Sequence, residues 1–339
     1  MSATKNRRIT LAARPSGLPK PSDWKADSVD TRAPDAGEVL VKVLYLSVDP
    51  ARRRWISEAP PAYIPPIALG EPMRAGGIGV VVESNDPAFA PGEHVFGWLD
   101  VQEYATLAAA TLEKVDATSA PLTTRLNVLG APGMTAYFGL LEVGRPKAGE
   151  TVVVSGAAGA VGMTAGQIAK IYGCRVVGIA GGSEKCRFIR EDLGFDAAID
   201  YKAGTLDQDL RSHCPEGIDV YFDNVGGATL DACLARLALH ARVVICGAIS
   251  QYNATTAASG PKNYLALLSR RASMQGMLVF DYRDRFAEAA PFLAAWIAEG
   301  KLKSVEHIVE GGVAAFPEAL LLLFNGGNVG KLLLRIAEA

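Results

Sequence analysis

Residues Thr151 to Gly162 read T-V-V-V-S-G-A-A-G-A-V-G, and this stretch decides the fold. Apolar and β-branched residues lead into a glycine-rich turn, and an apolar helical pattern follows through Met163, Ile168 and Ala169. The order is strand, turn, helix, with Gly156, Gly159 and Gly162 at the spacing G-x-x-G-x-x-G. Such glycines answer three physical needs: a tight turn, a bare backbone that a pyrophosphate can approach, and close packing of helix on strand. The helix N-terminus adds unpaired N–H groups and a partial positive charge. A glycine triplet alone is weak evidence. Here a buried strand precedes it, a helix of about three turns follows, and a second apolar strand over residues 175–179 closes a βαβ unit. The stretch therefore predicts a dinucleotide site, with Gly156, Gly159, Ala160, Val161 and Gly162 as its phosphate loop.

The end of the second strand bears on which dinucleotide. An NAD site places an Asp or Glu there to hold the ribose 2′-hydroxyl. This chain reads Ala180-Gly181-Gly182-Ser183-Glu184-Lys185. Small residues leave room at Gly181, Ser183 can donate a hydrogen bond, and Lys185 can face a 2′-phosphate. Glu184 is the opposing signal, and a solvated helix-start lysine is the plain alternative for Lys185. The balance favours NADP.

Bulk composition narrows the class. A chain of 339 residues is long enough for two domains. Hydrophobic content of 49% with 21% charged residues is that of an ordinary globular protein. A net charge of −2 without blocks of like charge gives no footprint for nucleic acid or a membrane surface. No stretch approaches a membrane span, and the polar N-terminus has no signal-peptide core. Cys174, Cys186, Cys214, Cys233 and Cys246 show no C-x-x-C spacing, which reads as reduced thiols in a cytoplasmic protein. His94, His213, His240 and His307 have no metal-ligand spacing, so no metal is expected.

Along the chain, residues 1–128 are rich in Pro and Gly, with short β-rich runs at 39–46, 79–83, 94–97 and 102–106. That texture predicts an irregular, barrel-like β domain. From Gly130 it changes: a helix over 134–141 precedes alternating strands and helices through residue 246. Apolar strands alternating with helices predict a parallel sheet covered on both faces. A helix over 264–271, a strand over 274–280 and a helix over 287–298 follow. The last thirty residues read as β-rich again and are expected to rejoin the first domain. The Arg52-Arg53-Arg54 run beside Trp55 reads as a solvated surface loop, with the rim of a substrate mouth as the alternative. The apolar Tyr63-Ile64-Pro65-Pro66-Ile67 run is a candidate pocket lining.

Taken together, these residues carry a family resemblance that runs nearly end to end. Ser47-Val48-Asp49-Pro50, Gly133-Met134-Thr135-Ala136-Tyr137, Ser155 to Gly162, Phe222-Asp223-Asn224-Val225-Gly226-Gly227, Cys246 to Asn253 and Asn328-Val329-Gly330-Lys331 occur jointly. The chain resembles the zinc-independent medium-chain dehydrogenase/reductases, in the branch of prostaglandin reductases and NADP-dependent alkenal double-bond reductases. The resemblance implies a Rossmann doubly wound parallel sheet, residues 129–304, inserted in a GroES-like β-rich catalytic domain, residues 1–128 completed by about 305–339. It implies NADPH, a small enone or enal substrate and a homodimer built through the Rossmann domain. By position, Lys185 and Tyr201 would flank the 2′-phosphate. Asn224 follows the fourth Rossmann strand, and Cys246, Gly247, Ala248, Ile249, Ser250 and Tyr252 would line the nicotinamide. Met277, Leu278, Val279 and Asn328 would complete the cofactor slot. Two positions depart from the family: Ala51 stands where many relatives carry a pocket tyrosine, and Ser269 where the plant reductases carry a catalytic one.

Reducing an enone needs position and electrostatics more than reactive side chains, because NADPH carries the hydride. Charge develops on the carbonyl oxygen as an enolate, and a donor aimed there is worth about 3–4 kcal/mol by analogy with oxyanion holes. Tyr264 and Tyr252 are the candidate donors, with the cofactor ribose hydroxyl able to share the task. A packing role is the alternative for Tyr264, and loop bracing for Tyr252. Cys246 reads as a small strand-end residue and His94 as structural. Reduction of quinones, or NADPH binding without catalysis, are the competing functions, the latter kept open by Ala51 and Ser269.

Overall fold

The computed structural model describes residues 4–57, 64–118, 120–257 and 259–338. Two compact units divide the chain: Met1–Leu126 with Glu306–Ala339, and Asn127–Val305.

The continuous unit is built on parallel strands. Its elements run α2 (Ala131–Phe138), β8 (Thr151–Ser155), α3 (Ala160–Ile171), β9 (Arg175–Ala180), α4 (Ser183–Glu191), β10 (Ala197–Asp200), α5 (Leu206–His213), β11 (Ile218–Asp223), α6 (Gly227–Leu234), β12 (Leu237–Ile245), α7 (Leu265–Arg270), β13 (Ser273–Gly276) and α8 (Phe286–Ala298). These numbers continue from β1–β7, α1, β14, α9 and β15 of the other unit, given below. The sheet order is β10-β9-β8-β11-β12-β13, every pairing parallel. Period-2 alternation explains why the strands are apolar throughout. Val152 and Val154 pack with Met163, Ile168, Ala289 and Leu293 on one face, while Val153 packs with Leu210, Cys233 and Leu234 on the other. This is the Rossmann arrangement, with both faces covered. Helix α3 lies so close to its surroundings that a Cβ at Gly166 would fall 1.9 Å from the Phe195 ring.

The split unit is mainly antiparallel. It holds β1 (Lys5–Leu11), β2 (Trp24–Asp30), β3 (Glu38–Ser47), α1 (Arg52–Trp55), β4 (Gly76–Ser84), β5 (His94–Trp98), β6 (Tyr104–Ala108), β7 (Glu113–Lys114), β14 (Glu306–Val309), α9 (Phe316–Phe324) and β15 (Lys331–Arg335). The larger sheet runs β14-β15-β3-β4-β5-β7, with β6 also paired to β3. The C-terminal strand thus lies directly against β3, Leu333 opposite Ser47.

A charge cluster of two buried cations around a partly exposed carboxylate ties those two strands. Lys331 Nζ, 2% exposed, donates to Asp49 Oδ1 at 2.8 Å and to the Val48 carbonyl at 2.8 Å. Arg52, 1% exposed, reaches Asp49 Oδ2 at 2.8 Å and the carbonyls of Ser47 and Arg74. Burial opposes the Asp49 charge, but Lys331 and Arg52 overcome it and hold the carboxyl well below the usual carboxylate range.

Several readings of the sequence are corrected here. The arginine run is not a solvated loop: Arg52 and Arg53 are buried, and Arg53 donates to the Pro15 and Gly17 carbonyls at 2.9 Å. The expected strand over 274–280 ends at Gly276, and a 3-10 helix occupies Val279–Arg285. The β-rich C-terminal segment contains α9, whose Phe316, Ala319, Leu320 and Leu323 fill the core at helical spacing. Strands β1 and β2 pair as a two-stranded sheet that the β-rich runs did not include. Of the apolar run at 63–67, Tyr63 lies outside the described residues, and Ile67 is buried in the core.

Replacing Asp49 by Asn would leave two buried cations without their counter-charge, a loss of about 3–5 kcal/mol at pH 7. Because the Asp49 pKa is depressed on folding, its stabilisation is present at neutral pH and lost as pH falls below the ordinary carboxylate range. Urea titrations of Asp49→Asn and the parent should therefore differ widely at pH 7 and converge in strong acid. Equal midpoints at pH 7 would show the cluster to be energetically idle.

Candidate functional site

Strand order reverses between β8 and β11, and in such sheets a ligand sits in the crevice beyond the carboxyl ends at that reversal. The glycine-rich turn stands there. Gly156 has φ +60°, and the Gly159 N–H donates to its carbonyl at 2.9 Å. A Cβ at Gly162 would fall 2.3 Å from the Gly156 carbonyl oxygen, so only glycine lets the first turn of α3 close onto the loop. Ala160 and Val161, half-buried, open that turn.

A second knot holds the facing strand end. The Asp223 side chain is fully buried. Its Oδ1 accepts from Ser155 Oγ (2.8 Å), Tyr221 OH (2.7 Å), Val225 N–H (3.0 Å) and Gly226 N–H (3.0 Å). Its backbone carbonyl accepts the Cys246 and Gly247 N–H groups at 2.9 and 3.0 Å. Asn224 donates its amide to the Ser155 carbonyl at 2.7 Å. The ends of β8, β11 and β12 are therefore fastened through Asp223 and Ser155.

The loop that follows β12 is laced to the same turn. Ser250 Oγ donates to the Val225 carbonyl at 2.6 Å, and the Ile249 N–H to the Asn224 carbonyl at 3.3 Å. The Ala248 N–H donates to Tyr252 OH at 3.2 Å, so Tyr252 braces the loop. Burial, reinforced by Asp223, pushes the Cys246 thiol up to about 12, which removes it as a nucleophile at neutral pH. Met277 is buried, with its N–H on the Ile245 carbonyl at 3.0 Å. Leu278 and Val279 beside it are half-buried.

At the other end of the crevice lies a basic corner. Gly181 packs so tightly that a Cβ there would fall 2.8 Å from the Tyr201 ring and 3.0 Å from Lys202 Cε. Asp200 Oδ1 clips the corner together, accepting the Gly182 N–H at 2.8 Å and the Lys202 N–H at 3.0 Å. Lys185 is half-buried, and burial with the nearby Lys202 charge lowers its pKa. Neither ammonium group forms a salt bridge among the described residues. Two lysines outside any salt bridge among the described residues, beside a tyrosine, make a corner suited to a phosphate. Ser183 lies alongside, in the wall of a hollow of about 400 Å³ shared with Cys186, Arg187, Arg190, Ala198 and Asp200.

The structure thus brings Gly156–Gly162, Asn224 and the 246–252 loop together, and gathers Gly181, Ser183, Lys185 and Tyr201. Tyr264 is 57% exposed at the start of α7, where the Asn263 N–H is pinned to Asp231 Oδ1 at 2.7 Å. Ser269 is exposed on the same helix. Asn328 is buried within the split unit, its amide on the Gly330 carbonyl at 2.9 Å. Sequence reasoning missed Lys202, although a basic residue directly after Tyr201 was a usable signal. Nothing local in the sequence says that the Asp223 carboxylate is buried. Among the described residues no cluster of His, Cys, Asp and Glu is able to hold a metal ion.

Residues 7–115 match the family profile described as the N-terminal domain of oxidoreductase, and residues 160–295 that described as zinc-binding dehydrogenase. The chain is 42% identical to the NADPH-dependent curcumin reductase of Escherichia coli K12, covering 98% of this chain and 97% of that one. It is 40% identical to the NADP(+)-dependent 2-alkenal reductase of Nicotiana tabacum, covering 98% of both. The solved structure of CurA from Vibrio vulnificus in complex with NADPH superposes with a TM-score of 0.93 at 41% identity, over 98% of this chain and 100% of that one. The chain belongs to the zinc-independent medium-chain dehydrogenase/reductases, within the group of alkenal, curcumin, pulegone and prostaglandin reductases.

A methyl group at position 162 has only backbone to meet. Gly162→Ala should abolish dinucleotide binding while leaving the parallel sheet largely formed, at a stability cost of about 1–3 kcal/mol. Cofactor fluorescence titration beside circular dichroism checks this, and unchanged affinity would refute the role given to the close approach.

Proposed function

We propose that the protein is an NADPH-dependent reductase of the carbon–carbon double bond of α,β-unsaturated ketones or aldehydes. The observation that carries the cofactor half is the Lys185–Lys202 corner beside Tyr201, positive and without salt bridges, where an NAD site would place a carboxylate. The reaction half rests on the family, whose named relatives include alkenal, curcumin and pulegone reductases.

The residues fit the cofactor along its length. Gly156 and Gly159–Gly162 offer bare backbone and helix N–H groups to the pyrophosphate. Gly181, Ser183, Lys185 and Tyr201 hold the 2′-phosphate, and Asn224 and the 246–252 loop hold the nicotinamide half, with Met277–Val279 assigned to the same slot. NADPH, when bound, supplies a hydride to the substrate β-carbon. What the chain supplies is orientation and a donor for the enolate oxygen, from Tyr264 or Tyr252. Cytoplasmic residence is proposed from five cysteines, all unpaired. A homodimer is proposed through the edge of the Rossmann sheet, where β13 is exposed along its length and Leu265 and Leu268 are 59% and 76% exposed.

The parent should bind NADPH at least about tenfold more tightly than NADH, roughly 1.4 kcal/mol. Lys185→Ala should erase most of that preference while leaving NADH binding nearly unchanged. Calorimetric titration with both cofactors decides the matter, equal parent affinities being the adverse result.

If Tyr264 donates only in the transition state, Tyr264→Phe should lower kcat and kcat/KM together, by about 10²-fold or more, with NADPH affinity unmoved. Steady-state rates with an enal, an enone and a quinone, run beside Tyr252→Phe, test the donor and the substrate class at once. A Tyr264→Phe enzyme within about threefold of the parent transfers the role to Tyr252, Ser269 or the cofactor ribose.

A further inference from the structure

The buried carboxylate of Asp223 does more than fasten strand ends. It is completely inaccessible, yet among the described residues no cation pairs with it; hydroxyl and backbone N–H donors alone meet its charge. A buried carboxylate without a cation is costly, and the same knot could be tied by a neutral acceptor such as an asparagine oxygen. Its position gives a reason for the charge. Asp223 ends the first strand of the second mononucleotide half, at the strand-order reversal, which is the half that takes the nicotinamide. The reduced nicotinamide is neutral. Once the hydride has left with its two electrons, the ring carries a positive charge.

We propose that the Asp223 carboxylate stabilises the oxidised, cationic nicotinamide over the reduced one, and so sets the reducing power of the bound cofactor. Its field reaches the loop that would border the ring. The thiol of Cys246 is pushed up by burial, which opposes any charge, and further by the Asp223 carboxylate, whose own contribution at that strand end disfavours an anion and favours a cation. Cys233 and the Tyr221 hydroxyl feel the same field, each pushed up by burial first and by the Asp223 charge as well. Inside the unit this field is little screened by salt. A charge that favours the product cation makes hydride release easier and adds nothing to the binding of NADPH, which is selective stabilisation of the later state.

The inference rests on the NADPH reading, and the experiment separates the two. Dissociation constants for NADP+ and NADPH are measured by titration on the parent, Asp223→Asn and Tyr221→Phe, with circular dichroism on each. In Asp223→Asn the NADP+ constant should rise about tenfold relative to the NADPH constant. For a two-electron couple this is a rise of about 30 mV in the midpoint potential of the bound cofactor. A purely structural role would weaken both ligands alike, and a parallel loss overturns the inference. Tyr221→Phe keeps the charge and removes one neutralising donor, so it should shift the ratio the opposite way. It decides the question if Asp223→Asn fails to fold, and a ratio unchanged in Tyr221→Phe would then count against the proposal. A parent that binds neither nucleotide would instead overturn the cofactor reading itself.

Discussion

The approach of Gly162 to the Gly156 carbonyl is the constraint on which the nucleotide-binding unit depends. With a Cβ excluded at 2.3 Å, the chain leaves β8, turns at positive φ and starts α3 within a few residues. That compression brings the N-terminus of α3 over the sheet and leaves space beyond the strand ends. The Asp223–Ser155 knot then holds the opposite wall at hydrogen-bond distance. Neither device has much hydrophobic content. Both are made possible by the dry sheet beneath them, where Val152, Val153, Val154, Val220 and Phe222 are fully buried.

The parallel half was legible because its signals are local. Apolar runs of strand length, glycine at turn positions and helix periodicity each occupy fewer than about fifteen residues, and they agree with one another. The cofactor loop followed from the same short window. The basic corner was half legible: Lys185 sits in the first turn of α4, just after β9, where a specificity residue is sought, while Lys202 reaches Gly181 from the 3-10 turn after β10.

What sequence reading lost depends on contacts between distant segments. Arg52 and Arg53 look like a solvated run until Asp49, the Arg74 carbonyl and the carbonyls of Pro15 and Gly17 are folded around them. The Asp49–Lys331 pair joins residues 282 positions apart, which no window contains. Helix α9 was hidden because Leu320 to Leu323 form an unbroken apolar run, and such a run suits a buried strand as well as a buried helix. The residue that donates to the substrate oxygen was illegible for another reason: Ala51 and Ser269 stand where relatives carry tyrosines, so position in sequence no longer indicates which hydroxyl takes over.

The placement of β15 also imposes an order of events on synthesis. Strand β3 emerges well before β15, the strand that pairs with its C-terminal end. While the ribosome works through the intervening segment, the end of β3 beyond the stretch that β6 covers lacks its second strand, and the backbone of Tyr45, Leu46 and Ser47 is open to pairing with another nascent chain. The nucleotide-binding unit, by contrast, is one uninterrupted stretch and has all its strands in hand before β15 appears. Arg52 and Asp49 must wait in the same way for Lys331. Closure of the split unit is thus a late, long-range step with a large loop to close, and the interval before it is the period in which this chain most needs protection from its own copies.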